Sequence, residues 1–123
     1  EIYSSELAKI AYVFDQNGEV DRARELMRIF GVFAKNDQSI YGDLTRCVNN
    51  AYNGEMQQAL KSLRSFVDEE DFHYWTILLF PIDPVFDELK KSKEFQELYS
   101  ELEAKFWNRH EVLRKRLEKE NLL

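Results

Sequence analysis

The chain has one cysteine, two prolines and four glycines in 123 residues, and each shortage removes a class of protein. Cys47 alone cannot close an intrachain disulfide or supply a cysteine pair for zinc. An all-β chain needs turn residues every eight to twelve positions or so, and so few Gly and Pro do not supply them. The longest apolar run, Tyr74 to Ile82, has nine residues and contains Pro81, whereas a membrane-spanning helix needs about twenty. A basic excess is also missing. Net charge is −6 and the pI is near 5.0, which disfavours binding to nucleic acid or to anionic membranes. A soluble chain in the cytoplasm is the expectation. The first residue is Glu1 and not Met, so the sequence is expected to start inside a longer protein.

What is present favours helices. Hydrophobic residues make up 44% and charged residues 33%, enough to bury one core and fold one domain. Apolar residues at Leu7, Ile10, Ala11 and Phe14 lie on one helical face. The phrase NGEVDRARELMRIF follows from Asn17 and returns, 36 residues later, as NGEMQQALKSLRSF from Asn53. Asn-Gly is also a hairpin signal for strands. The flanks exclude that reading, because their apolar residues recur every three to four positions and do not alternate. Val20, Ala23, Met27 and Phe30 continue the first unit. Ile40, Leu44, Cys47, Val48 and Ala51, then Leu60, Leu63, Phe66 and Val67, form the second. Asp37 or Ser39 can accept the free N–H groups where the second unit begins.

The order small residue, Gly seven later, Ala five after that occurs twice, as Ala11, Gly18, Ala23 and as Cys47, Gly54, Ala59. This pattern resembles the tetratricopeptide repeat (TPR) of about 34 residues. The chain departs from that family where Phe30 and Phe66 replace a small residue, where Asn50 replaces a Tyr-like one, and in lacking a closing Pro. The resemblance implies helix hairpins over 3–35 and 37–67. Two such units are fewer than the three or so needed to bury a continuous core, so the remaining chain must cover them.

The rest reads as an atypical closing unit over 69–91 and a long helix over 93–121. Phe72, Trp75, Ile77, Leu78 and Leu79 make an apolar helix start. Asp83-Pro84 then reads as N-cap and first helical position of a short helix through Phe86 and Leu89, and Ser92 caps the next. Asp83, Pro84, Phe86, Asp87, Leu89 and Phe95 resemble a closing phrase of TPR regions in bacterial regulatory proteins. In the last segment the apolar stripe Phe95, Leu98, Leu102, Phe106 breaks at Arg109/His110 and resumes at Leu113 and Leu117. A strict heptad would put Lys105, Arg109 and Arg116 in the seam, which disfavours a parallel coiled coil. Glu94, Glu97, Glu101 and Glu103 precede Lys105, Arg109, Arg114, Lys115, Arg116 and Lys119, an order that suits the helix dipole. The expected fold is thus all-α: two TPR-like hairpins, the closing unit and the long C-terminal helix in one domain.

Catalytic and metal signatures fail on spacing. Asp15 to Glu25 looks like a calcium loop, but its Gly falls fourth instead of sixth and its acidic closer eleventh instead of twelfth. Asp68, Glu69, Glu70, Asp71 and His73 are nearly consecutive, so on a helix they fan around the axis and do not converge on an ion. Cys47 with His73 or His110 would supply a nucleophile and base, yet Cys47 lies on the apolar stripe at the small packing position. No enzyme activity, cofactor or metal is expected.

Aromatic side chains are abundant: Tyr12, Tyr41, Tyr52, Tyr74, Trp75, Tyr99 and Trp107 exceed what the stripes require. They suit the rim of a core or a peptide-binding surface. The TPR resemblance implies that the first helix of each hairpin lines a concave face, which would place Tyr12 beside Tyr41, Leu44, Val48 and Tyr52. The Lys and Asn residues with which some TPR domains grip a C-terminal carboxylate are absent at the matching Ala8, Tyr12, Leu44 and Val48. The expected function is a non-catalytic protein–protein interaction module of a larger bacterial regulatory protein, binding a protein or peptide and expected to be monomeric. A structural or dimerisation domain, or a sensor holding a small apolar ligand between helices, fits the same residues. Either an external partner or the chain's own C-terminal helix would cover the concave strip.

Overall fold

Two helix hairpins occupy the N-terminal half: α1 (Leu7–Gln16) with α2 (Val20–Asn36), and α3 (Gly42–Tyr52) with α4 (Met56–Asp68). The computed structural model describes residues 3–69 and 73–123, so Glu70, Asp71 and Phe72 of the expected third helix start and acidic cluster lie outside the described residues. Each Asn-Gly turn ends its helix with the same pair of bonds. The Gly18 N–H donates to the Asp15 carbonyl (3.0 Å) and the Glu19 N–H to that of Phe14 (2.9 Å). Gly54 and Glu55 repeat this with Ala51 (3.1 Å) and Asn50 (2.8 Å). The arrangement requires a left-handed residue after the helix, and the glycines have φ of +79° and +75°. A Cβ at either would meet nothing within 4 Å, so the need for glycine is conformational.

The hairpins repeat their packing along with their turns. Ala8 and Leu44, Ala11 and Cys47, Ala23 and Ala59, Met27 and Leu63, and Phe30 and Phe66 are all buried. Small Ala11 or Cys47 opposite Ala23 or Ala59 lets the paired helices approach closely. Phe30 and Phe66 anchor separate buried clusters, one within the first hairpin and a larger one shared by the second hairpin and the C-terminal half. Truncating either ring to Ala would cost about 3–5 kcal/mol by cavity formation.

That larger cluster is completed by α5 (Trp75–Ile82), by 3-10 turns at Pro84–Phe86 and Leu89–Lys91, and by α6 (Lys93–Lys119). All six helices, with no strand among the described residues, make the fold all-α. The expected short helix after Asp83 is two 3-10 turns instead. Asp83 caps the first by accepting the Val85 N–H (3.0 Å). Each turn sends one side chain inward, and Phe86 and Leu89 reach the core at 0% and 1% exposure. Ser92 caps α6 as expected, accepting the Phe95 N–H (3.0 Å).

Pro81 removes a backbone donor inside α5 and so orphans the Ile77 carbonyl. The Tyr99 hydroxyl of α6 fills the vacancy at 3.1 Å. Burial, then the adjacent Glu103 carboxylate, push the Tyr99 phenol up to about 12, which keeps this donor protonated. Lys90 finishes the same helix by donating to the Pro81 and Asp83 carbonyls (3.0 and 3.3 Å).

Only the first half of α6 belongs to the body. Phe95, Leu98 and Leu102 are buried, whereas Trp107, Val112 and Leu113 are 48%, 69% and 54% exposed. The helix therefore does not fold back over the hairpins; its last dozen residues project for about 18 Å. Asn121 ends it with φ 52° and the same two bonds that close α1 and α3, made here to Glu118 and Leu117.

Gly54→Val is expected to destabilise the fold by more than about 1 kcal/mol, since a β-branched residue is strained at positive φ; chemical denaturation measures this, and an unchanged midpoint would refute the role given to the turn. Truncation after Arg109 removes only projecting helix. Its product should retain a cooperative unfolding transition by circular dichroism, whereas loss of that transition would place the projection in the core.

Candidate partner-binding surfaces

The five residues expected to form one concave strip are divided by the structure. Leu44 is only 4% exposed and lies in the larger cluster, so it is core and not a contact surface. Val48 packs against both clusters and Tyr52 against that of the first hairpin. The cause is the position of α3 between α2 and α4, which buries residues on both its sides. Tyr12, on α1, is half-buried and belongs to neither cluster. Tyr41 packs against the larger cluster, beside Phe66, His73 and Trp75, with ring centroids at 6.4, 5.8 and 5.0 Å. Its hydroxyl pairs with His73 Nδ1.

A short polar network positions Tyr41. Asp37 accepts the Ser39 N–H (2.9 Å) and the Thr45 hydroxyl (2.8 Å), and Ser39 Oγ accepts the Tyr41 N–H (3.2 Å). Gly42 fits because a Cβ there would come within 2.4 Å of the Asp37 carbonyl oxygen. Partial burial pushes the Asp37 carboxyl up, but hydrogen bonds from Ser39 and Thr45 and the Arg46 charge outweigh it and hold it below its ordinary value of 3.8.

The remaining candidate groups have structural surroundings. Cys47 is fully buried, and burial pushes its thiol up to about 12. His110 stacks near Phe106 and Trp107 (6.3 and 5.5 Å) and His73 near Tyr41, so the two histidines sit against aromatic rings. Among the described residues no three His, Cys, Asp or Glu converge on a common point. No described helix is long and apolar enough to cross a membrane.

Two of the hollows among the described residues bear on whether a ligand could be held. One, of about 460 Å³, lies between α2 and the end of α3 and is lined by Arg24, Arg28, Asn49, Tyr52 and Asn53 among others. Its arginines are engaged by Asp21 (2.9 Å) and Glu25 (2.8 Å) on their own helix. Asn49 Oδ1 is buried there without a hydrogen bond, 3.3 Å from where a Cβ on Gly31 would stand. The other, of about 430 Å³, separates α5 from the start of α6, beside Tyr99 and Lys90.

An exposed apolar surface that spans α5 and α6 was not singled out by the helical periodicity. α5 is apolar around its whole circumference, the pattern of a helix covered on all sides. Thr76, Ile77 and Phe80 face the core, while Trp75, Leu78 and Ile82 on another face are 44%, 51% and 77% exposed. The surface continues through Tyr74, whose ring lies 4.8 Å from Phe106 and 6.0 Å from Trp107 on α6, and passes to His110 and the exposed Leu113. The signal in the sequence was the run WTILLFPI itself, in which no polar residue marks an outer face after Thr76.

No family model matches the chain, and no curated protein or solved structure shows significant similarity to it.

Asp37 links this geometry to pH. Its folded carboxyl ionises more readily than the unfolded one, so its contribution is complete above 3.8 and is lost as pH falls below that value. Asp37→Ala should lower stability at neutral pH and reduce the acid-induced loss below pH 3.8, as measured by urea midpoints across pH; parallel pH profiles for variant and wild type would contradict the assignment.

Proposed function

We propose that this domain is a non-catalytic protein–protein interaction module, and that its contact surface is the exposed face of α5 together with the projecting part of α6. The observation that carries the proposal is the continuous apolar surface formed by Trp75, Leu78 and Ile82, Tyr74, Trp107 and Leu113. Contiguous aromatic and aliphatic exposure of this kind marks surfaces that partners cover, and Trp and Tyr concentrate binding energy at such sites. Tyr41 stands at its edge through the contact with Trp75. The resemblance to bacterial TPR regions supports placing the module within a larger bacterial regulatory protein.

The test is a photo-reactive benzoylphenylalanine at Leu78, with the exposed Asp21 on α2 as the control position. On irradiation of cells producing the protein, the Leu78 probe should give a discrete protein adduct and the Asp21 probe none. Absence of an adduct at Leu78, or equal adducts at both, would refute this surface.

A further inference from the structure

We propose that the α5/α6 surface is occupied by a second copy of this chain, paired antiparallel through α6 about a two-fold axis at Phe106 and Trp107. This rests on the interaction-module reading, and the observation beneath it is the charge order of α6. Residues 107–123 contain five Lys or Arg against three Glu, a net +2, while residues 1–106 contain twelve against twenty, a net −8. Along α6 itself, Glu94, Glu97, Glu101 and Glu103 occupy the half packed on the body, and Arg109, Arg114, Lys115, Arg116 and Lys119 the half that projects. The midpoint of Lys93–Lys119 is Phe106. Antiparallel pairing about that point sets each basic half against the other copy's acidic half, twice over. Parallel pairing would oppose like charges along the whole helix.

The apolar surfaces meet in the same arrangement. α5 runs antiparallel to the acidic half of its own α6: Tyr74 lies against Phe106 and Trp107, the Ile77 carbonyl meets Tyr99, and Phe80 lies 5.9 Å from Phe95. A projecting helix arriving antiparallel to that half therefore passes along α5. From Tyr74, Leu78 and Ile82 lie about 6 and 12 Å along α5; from Trp107, Leu113 and Leu117 lie about 9 and 15 Å along α6. The two stripes correspond to within about half a helical turn. Because the contact is isologous, each copy gives a projecting helix and receives one. A stable dimer buries about 800 Å² per partner, and a reciprocal contact lets each chain contribute both its α5 face and its projecting helix to that burial.

Sedimentation equilibrium on the purified chain tests this directly. Wild type should show twice the 14.7 kDa chain mass at micromolar concentration and shift toward one chain as salt rises. Arg114→Glu with Arg116→Glu, which flank Leu113 and Leu117, and separately Glu103→Lys, beside the hollow between α5 and α6, should each keep wild-type helicity by circular dichroism and raise the dissociation constant about tenfold or more. An equimolar mixture of the two variants should recover the two-chain mass, because each contact again opposes unlike charges. A wild type that stays monomeric, a dimer indifferent to both reversals, or a mixture that fails to pair would overturn the proposal. A monomer whose Leu78 probe still captures a different protein would refute self-pairing and leave the interaction module standing. A monomer with no adduct would remove both.

Discussion

Two helix hairpins stacked on one another do not enclose a core, and this constraint governs the whole C-terminal half. The face of α4 that carries Leu60, Leu63, Phe66 and Val67 would be wet without further cover. The chain solves this with unlike pieces: Ile77 and Phe80 from α5, Phe86 and Leu89 from two 3-10 turns, and Phe95, Leu98 and Leu102 from α6. Their side chains are nearly all below 5% exposure. Once those residues cover α4, Trp75, Leu78 and Ile82 on the opposite face of the short α5, and Val112 and Leu113 on the distal half of α6, remain exposed among the described residues. The unpartnered surface is thus a by-product of how the core is closed.

The junctions between these pieces are fixed by cations that complete helix ends. Arg46 of α3 donates to the Ala34 and Asp37 carbonyls at the end of α2 (3.3 and 3.1 Å), Lys105 of α6 to the Val67 carbonyl at the end of α4 (2.5 Å), and Lys90 to the end of α5. The last carbonyls of a helix lack intrahelical partners and carry its negative dipole end. A positive donor from later in the chain satisfies both needs and fixes the docking of the next element. The exposed Arg64–Glu101 pair between α4 and α6 (2.7 Å) adds little by comparison, because solvent screens it.

Local signals survived the passage from sequence to structure, and partnership signals did not. Both glycine turns, the Ser92 cap and the buried pairs at a 36-residue offset follow from short-range chemistry written in the residues themselves. Leu44, Val48 and Tyr52 illustrate the limit. Helical spacing places them on α3, but periodicity does not say which neighbour each residue meets, and α3 has neighbours on both sides. The proposed contact surface was illegible for a related reason. An apolar run without a polar face contains no information about which side remains open, and only the packing of Ile77 and Phe80 inward reveals Trp75, Leu78 and Ile82 as the outer side.

The charge order of α6 separates two explanations. A helix dipole favours acidic residues at the start and basic ones at the end, but its influence fades within the first and last turn. Glu94 and Lys119 satisfy that condition. Glu101 and Glu103, and Arg109, stand two or more turns from the nearer end of Lys93–Lys119 and gain little from the dipole. Pairs such as Arg114 with Glu111 and Glu118 account for some of these charges locally, yet i,i+3 and i,i+4 pairing needs only alternation and gives no reason to segregate the excess of each sign into opposite halves. A boundary at the helix midpoint, coinciding with the aromatic cluster of Tyr74, Phe106 and Trp107 where the helix leaves the body, is what self-complementary antiparallel pairing requires. Among these explanations, antiparallel pairing alone joins the segregated charges to the exposed apolar stripe.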